Sequence, residues 1–473
     1  MLVRQILDPA LAQYAYLIGC PRTGEAIVID PERDIDRYHD IAAQHKLRIV
    51  AAADTHIHAD YLSGLREFAE RGVKVYASDE GGPAWRYEWL LDSNYSYQLV
   101  RHDDRFMVGN IELVVVHTPG HTPEHVSYEV IDRGAGAKDP IGIVTGDFVF
   151  VGDLGRPDLL EEAAGVTGTM IPGAQQLYRS LSRFRQLPEY VQVWPAHGAG
   201  SACGKSLGDI PMSTVGYELR TSPAIAAASS ETAFIEYILS GQPEPPLYFA
   251  RMKRDNRIGP TVIGSVPAIP RLAPHELAGL AGRTDVVVVD TRPRDQFLAA
   301  HLPKSLLAEL TFQFATITGS YIAEHTPIYL VIDEAQVDHA VRILLRIGLD
   351  HLRGFVTPAD LAAHQAAGGA IASTEAIGID EMERRRTAGG VRILDVRGKT
   401  DFDAAHVPGA VNIAHPRLLA RLSELPNDVP VLVHCASGAR AAHAVALLER
   451  HGYRPVTVAD HFVKWTPAAP APA

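Results

Sequence analysis

Two histidines and an aspartate stand at alternate positions in Thr55-His56-Ile57-His58-Ala59-Asp60-Tyr61-Leu62-Ser63-Gly64. Alternate side chains of an extended segment share a face, so His56, His58 and Asp60 reach into the same space. Imidazole and carboxylate in one cluster are ligands for a metal ion. Matching residues recur downstream in His117-Thr118-Pro119-Gly120-His121, Thr145-Gly146-Asp147 and Pro195-Ala196-His197-Gly198. A second chemistry is written near the C-terminus, in Cys435-Ala436-Ser437-Gly438-Ala439-Arg440. Successive loop N–H groups and a following helix N-terminus converge on the sulfur of such a cysteine. They favour the thiolate, which is the reactive form.

The elements that must position these residues are legible as apolar runs. Leu47–Ala53, Leu113–Val116, Ile141–Val144 and Val191–Trp194 each read as a strand that delivers a candidate ligand at its C-terminal end. Tyr14–Gly19 and Glu25–Pro31 read as an opening strand pair, Asp34–His45 and Gly64–Arg71 as helices, and Phe234–Leu239 as a closing helix. The Pro- and Gly-rich stretch Pro260–Pro270 reads as a linker. Beyond it lies an internal repeat. Asp290-Thr291-Arg292 matches Asp395-Val396-Arg397, and Phe297, His301 and Pro303 match Phe402, His406 and Pro408 at one constant offset. Strands alternate with helices in both copies, which predicts two parallel sheets. The expected domains are 1–262, 271–372 and 373–466. Cysteine is missing from the first copy, where the equivalent strand Ile328–Ile332 runs into Asp333-Glu334-Ala335-Gln336. A carboxylate cannot do the chemistry of a thiolate, so this copy is expected to be an inactive spacer or docking domain. The Pro- and Ala-only tail from Pro467 to Ala473 has nothing to pack and is expected to be disordered.

At 473 residues the chain is long enough for several domains. A net charge of −12 argues against a nucleic-acid partner, which needs a basic face. No run is long enough to span a bilayer, and the N-terminus lacks the apolar stretch of a signal peptide. Three cysteines are too few for a disulfide framework, which points to a reducing, cytoplasmic setting. Cys20, at a strand end beside a turn, reads as structural; His117 and His125 read as local hydrogen-bonding residues.

The order His-x-His-x-Asp, His, Asp, His resembles the metallo-β-lactamase superfamily. That resemblance implies an αββα sandwich with the metal along one edge. The second copy of the repeat resembles the rhodanese family, so the fold class is α/β: the sandwich followed by two rhodanese-like domains with parallel sheets. Four residues separate Cys435 from Arg440, one fewer than in phosphatases of related design, which favours sulfur transfer. Tyr61 departs from the superfamily's two-metal hydrolases, which carry histidine there; Asp60 and His197 alone would hold a second metal poorly.

Thr145–Leu159 and Pro195–Lys205 are similar to the persulfide dioxygenase family. The domain order is similar to bacterial dioxygenase–sulfurtransferase fusions of sulfide detoxification. The resemblance implies one Fe(II) per chain on His56, His121 and Asp147, a facial triad with positions open for substrate and O2. It implies that His58, Asp60, Tyr61 and His197 orient ligands and substrate. It makes Arg156 an anion contact for the substrate, and Cys203 a thiol beside the site. Cys435 and Arg440 become catalytic in the rhodanese domain, with Ser437 and Gly438 binding substrate in its loop. The implied partners are a thiol persulfide of glutathione, coenzyme A or a similar carrier, O2, and sulfite or thiosulfate, in a homo-oligomer. The alternative is a zinc thioester hydrolase resembling glyoxalase II, fused to a sulfurtransferase. A purely structural metal in a carrier or sensor module is a third reading; its open-sided ligand set counts against it, since structural sites are usually closed.

Overall fold

The structure is a computed structural model that describes residues 1–163 and 165–465. The tail from Pro467 onward lies outside the described residues. The chain divides into two compact units, Met1–Val266 with Leu345–Gly348, and Pro267–Leu344 with Leu349–Ala473.

The first unit holds two six-stranded sheets among the described residues. One runs in chain order through Leu2–Asp8, Gln13–Cys20, Glu25–Ile29, Arg48–Ala53, Lys74–Ser78 and Tyr97–Val100. The other runs in reverse order, from Ser213–Thr214 through Gln192–Pro195, Gly142–Gly146, Val126–Asp132 and Ile111–His117 to Arg105–Val108. Their facing side chains alternate inward, as strands with a period of two require. Tyr16, Ile18, Ile27, Ala53, Leu113, Val115, Tyr128, Val144 and Trp194 form the layer between them.

Each outer face is covered by helices. Tyr38 of helix Asp36–Gln44 and Phe68 of helix Leu65–Glu70 pack on Leu17, Val28 and Ala52 of the first sheet. Leu177 and Leu181 of helix Met170–Phe184, with Phe234 and Ile238 of helix Glu231–Leu239, pack on Ile143 and Val193 of the second. This is the αββα sandwich that the motif order implied.

Ile111–His117 and Gly142–Gly146 both run antiparallel to Val126–Asp132, and Gln192–Pro195 runs parallel to Gly142–Gly146. The three therefore end on the same edge of their sheet, and the residues just after those ends are His121, Asp147 and His197.

Among the described residues the second unit carries two all-parallel sheets. One is ordered Leu306–Leu307, Val287–Asp290, Ile328–Val331, Leu352–Val356. The other is ordered Ala376–Ile377, Pro455–Val458, Val431–His434, Arg392–Asp395, Val411–Asn412.

The repeat seen in the sequence recurs atom for atom. Arg292 Nη2 donates to Asp290 Oδ2 at 2.6 Å and to Ala300 O at 2.7 Å. Arg397 does the same to Asp395 and Ala405 at 2.6 and 2.7 Å. His301 stacks on Phe297 and His406 on Phe402, both with centroids 4.0 Å apart.

The two copies share a seam. Phe297 and Leu307 of the first pack against Ala442 and Ala446 on helix Ala439–Arg450 of the second. Small alanines let the two backbones approach closely.

Candidate metal centre

The strand Arg48–Ala53 hands over to the His56 loop, and Asp30 fixes the hand-over. Its carboxylate takes the Thr55 N–H at 2.6 Å and the Thr55 hydroxyl at 3.0 Å. That hydroxyl lies 2.9 Å from His56 Nδ1. His121 Nδ1 lies 3.0 Å from the Arg156 carbonyl, which fixes the ring and turns Nε2 toward Asp147 Oδ2, 3.5 Å away. Asp147 follows Gly146, whose left-handed φ of +52° lets the chain pass Thr55 and His125, where a Cβ would clash. The Asp147 N–H donates to His125 Nε2 at 3.0 Å.

His56, His121 and Asp147 thus come together, with ligand atoms all within 4.8 Å of one another. Burial holds both imidazoles well below their usual pKa, with neighbouring positive groups adding to the effect. They are neutral, the form a metal takes. Burial pushes Asp147 up to about 6. Both its carboxylate oxygens are buried without a hydrogen-bond partner, as are Asp60 Oδ2 and His197 Nε2. Unpartnered buried acceptors carry a desolvation cost that a cation would offset, so the donor set fits a metal ion.

His58 is placed elsewhere. Its Nε2 lies 3.2 Å from Asp30 and 3.0 Å from the Tyr61 hydroxyl, and its neighbours are Asp30 and Asp54. Burial opposes its charge, but Asp30 prevails and lifts it to about 9. Tyr61 is itself held by Gln13 at 3.1 Å. Asp60 and His197 gather with Cys203 rather than with the triad. His197 Nε2 lies 3.3 Å from Asp60 and 3.4 Å from Asp147. Burial pushes the Cys203 thiol well up, helped by the Asp147 and Asp60 charges.

Arg156 is held by its own chain. Its guanidinium is 1% exposed and bridges Asp158 at 2.8 and 2.5 Å. It also donates to the carbonyls of Ala202 and Pro243 at 3.1 and 2.7 Å. These bonds tie the Arg156 segment to the loops of Ala202 and Pro243. Arg156→Gln would leave Asp158 buried without its counter-charge, at a cost of about 3 kcal/mol. The expected readout is a marked fall in thermal midpoint; unchanged stability with a raised KM would speak for the anion-contact role.

Cys435 follows the buried strand Val431–His434 and is itself buried. Gly438 sits at the helix N-cap with φ +83°, and a side chain there would meet the Ala459 carbonyl at 3.0 Å. Ser437 and Arg440 are half-buried on the same loop and first turn. In the first copy the chain at this point makes a 3-10 turn, Glu334–Gln336, and Asp333 is exposed.

A sequence model described as the metallo-beta-lactamase superfamily matches residues 8–197, and one described as a rhodanese-like domain matches 379–468. The crystal structure of a metallo-beta-lactamase from Staphylococcus aureus superposes with a TM-score of 0.68 at 38% identity. It covers 76% of this chain and 99% of that one. The chain belongs to the metallo-beta-lactamase superfamily. Among curated relatives, the mitochondrial persulfide dioxygenase ETHE1 of Bos taurus is 27% identical over 42% of this chain and 68% of its own length. A hydroxyacylglutathione hydrolase of Synechococcus is 31% identical over 41% and 68%. The chain spans 53% of the length of another curated relative, a beta-lactamase hydrolase-like protein of Agrobacterium fabrum.

As a metallo-beta-lactamase superfamily member with a rhodanese-like domain, this chain is a metal-binding enzyme. Sequence reasoning missed three residues that shape its centre. Asp30 ends an apolar strand, as the other site residues do, and that signal was available. Asn256, on helix Phe249–Ile258, donates to the carbonyls of His58 and Tyr61 at 2.9 and 2.7 Å and accepts the Ser63 N–H at 2.8 Å. Lys253 lies one turn earlier, lowered to about 8 by burial. Neither of these two carries a motif.

Proposed function

We propose that the chain is a persulfide dioxygenase joined to a sulfurtransferase, laid out as a metal domain at 1–262, a cysteine-less copy at 271–372 and an active rhodanese at 373–466. The observation that carries this reading is the position of His58. Tied to Asp30 and Tyr61, it leaves three groups, His56, His121 and Asp147, as a two-imidazole, one-carboxylate face. One Fe(II) held there would supply open positions for O2 and for the terminal sulfur of a thiol persulfide. The protein's part is to keep the imidazoles neutral through burial, fix the His121 ring through the Arg156 carbonyl, and hold Asp147 against His197. The similarity to ETHE1 supports the same reading. The products are sulfite and the thiol, and Cys435 would pass sulfane sulfur to sulfite to give thiosulfate. Covalent linkage raises the concentration of that acceptor near Cys435.

A zinc thioester hydrolase is the second reading. Asp60, His197 and Cys203 gather beside Asp147, which offers a second metal position, and hydroxyacylglutathione hydrolases are similar in sequence. The test is O2 uptake by iron-loaded protein given glutathione persulfide, with coenzyme A persulfide in parallel and metal content measured on the same sample. One iron per chain with rapid uptake and sulfite or thiosulfate formation is expected. Two zinc ions per chain, no uptake and turnover of a glutathione thioester would transfer the assignment to the hydrolase.

A further inference from the structure

One residue grips both neighbours of Cys435 in the chain. Strand Pro455–Val458 runs parallel to Val431–His434 and directly beside it, so the chain leaves the sheet twice at the same edge. After Val431–His434 it continues as Cys435 and its loop; after Pro455–Val458 it leads to a 3-10 turn, Phe462–Lys464. The Phe462 N–H donates to the Ala436 carbonyl at 3.0 Å. The Phe462 ring stacks on His434, with centroids 5.3 Å and planes 13° apart. The residues before and after Cys435 are thus both held by Phe462.

The ring is itself fixed. The Arg397 guanidinium lies 3.9 Å from its centroid, and Trp465 stacks on it at 5.7 Å. Arg397 is the arginine of the repeat, pinned to Asp395 and Ala405. The turn is anchored through Asp460, which accepts from Lys464 Nζ at 2.7 Å and from the Ile379 N–H at 3.2 Å. In the cysteine-less copy Arg292 makes the same ion pair, but no aromatic ring lies over it among the described residues. There the chain passes from strand Leu352–Val356 straight into helix Pro358–Ala366. The aromatic turn accompanies the cysteine.

The bond to Ala436 decides where the next N–H faces. A trans peptide is planar, and its C=O and N–H point to opposite sides. With the Ala436 carbonyl turned to Phe462, the Ser437 N–H faces away from the turn. It donates to no protein acceptor among the described residues, and neither do the N–H groups of Ala436 and Gly438. Successive open N–H groups are what steadies a sulfur anion. Resting on the sulfur-transfer reading above, we propose that Phe462 is a positioning residue of the Cys435 site: its N–H and its ring set the Ala436–Ser437 peptide so that the Ser437 N–H stays available to the sulfur.

The two contacts can be separated by mutation. Phe462 opens its turn, a position that accepts proline, and His461 before it is extended at φ −77° and ψ 129°, as a residue before proline must be. Phe462→Pro therefore removes the N–H together with the ring, Phe462→Leu removes the ring alone, and Phe462→Tyr keeps both. In the full chain, alkylation of Cys435 by iodoacetamide is followed by peptide mass spectrometry, which separates it from Cys20 and Cys203. Phe462→Pro should slow it roughly tenfold, the loss of one hydrogen bond to a charged group. Phe462→Leu should slow it about threefold, the loss of one aromatic contact, and Phe462→Tyr should match wild type. A purely structural role has the opposite sign: Cys435 is 1% exposed, and a loosened loop would bare the thiol and speed its alkylation. Alkylation in Phe462→Pro as fast as wild type, or faster, overturns the proposal. Should that chain not fold, Phe462→Leu carries the test, and an unslowed rate there overturns it equally. Loading of Cys435 from glutathione persulfide is measured on the same samples. A wild-type chain that never loads brings down the sulfur-transfer reading and this proposal with it, a result distinct from unaltered alkylation.

Discussion

His121→Ala should leave a folded chain that retains no iron and takes up no O2 with a thiol persulfide. The ring is placed with care: its Nδ1 is occupied by the Arg156 carbonyl, so only Nε2 can serve a metal. Two of the neighbouring imidazoles are already engaged. His125 is spent on Thr118 and the Asp147 N–H, and His58 on Asp30 and Tyr61. Loss of a residue that only orients a ligand weakens metal sites by about 10–100-fold, and loss of a ligand should exceed that. Sulfur transfer from thiosulfate to dithiothreitol should continue, because Cys435 lies in the other compact unit. Iron content by elemental analysis and O2 electrode traces check both halves. An H121A chain that still consumes O2 refutes the ligand set.

Cys435→Ser is expected to do the reverse. Serine matches the thiol in shape, so the strand, the Gly438 turn and the helix should form unchanged. Its hydroxyl stays protonated and forms no persulfide, so sulfur transfer should fall to the uncatalysed background. O2 uptake should persist, with sulfite accumulating in place of thiosulfate. Ion chromatography of the products reads this directly. Loss of both activities would end the two-site scheme, and retained thiosulfate formation would place sulfur transfer on another residue.

The meeting of His56, His121 and Asp147 was legible because each follows an apolar strand, and strand ends on one edge of a sheet bring distant segments together. The repeat was legible because Asp290/Arg292 and Asp395/Arg397 keep the same spacing for the same ion pair. What stayed hidden is made by long-range contacts between residues of unremarkable type. Asn256 clamps the His58–Ser63 loop from nearly 200 positions away. That Arg156 would donate to Ala202 and Pro243 was not legible, because backbone carbonyls leave no mark in a sequence. His58 was expected among the residues that orient the ligands; that it would pair with Asp30 and Tyr61 was not legible, because two histidines on one face of a strand can still turn at χ1 and χ2.

The alanine seam in the second unit bears on how this part of the chain comes apart. Ala442 and Ala446 face Phe297 and Leu307, and Thr374 at the start of the second copy hydrogen-bonds Glu449 at 2.6 Å. Excising everything before residue 373 would bare that apolar strip along the helix that carries Arg440 and strip Glu449 of its His301 partner. The two copies should therefore melt in a single cooperative transition, as halves of one folding unit, even though each has its own sheet. On that expectation, the cysteine-less copy is a condition for the fold of the copy that carries Cys435.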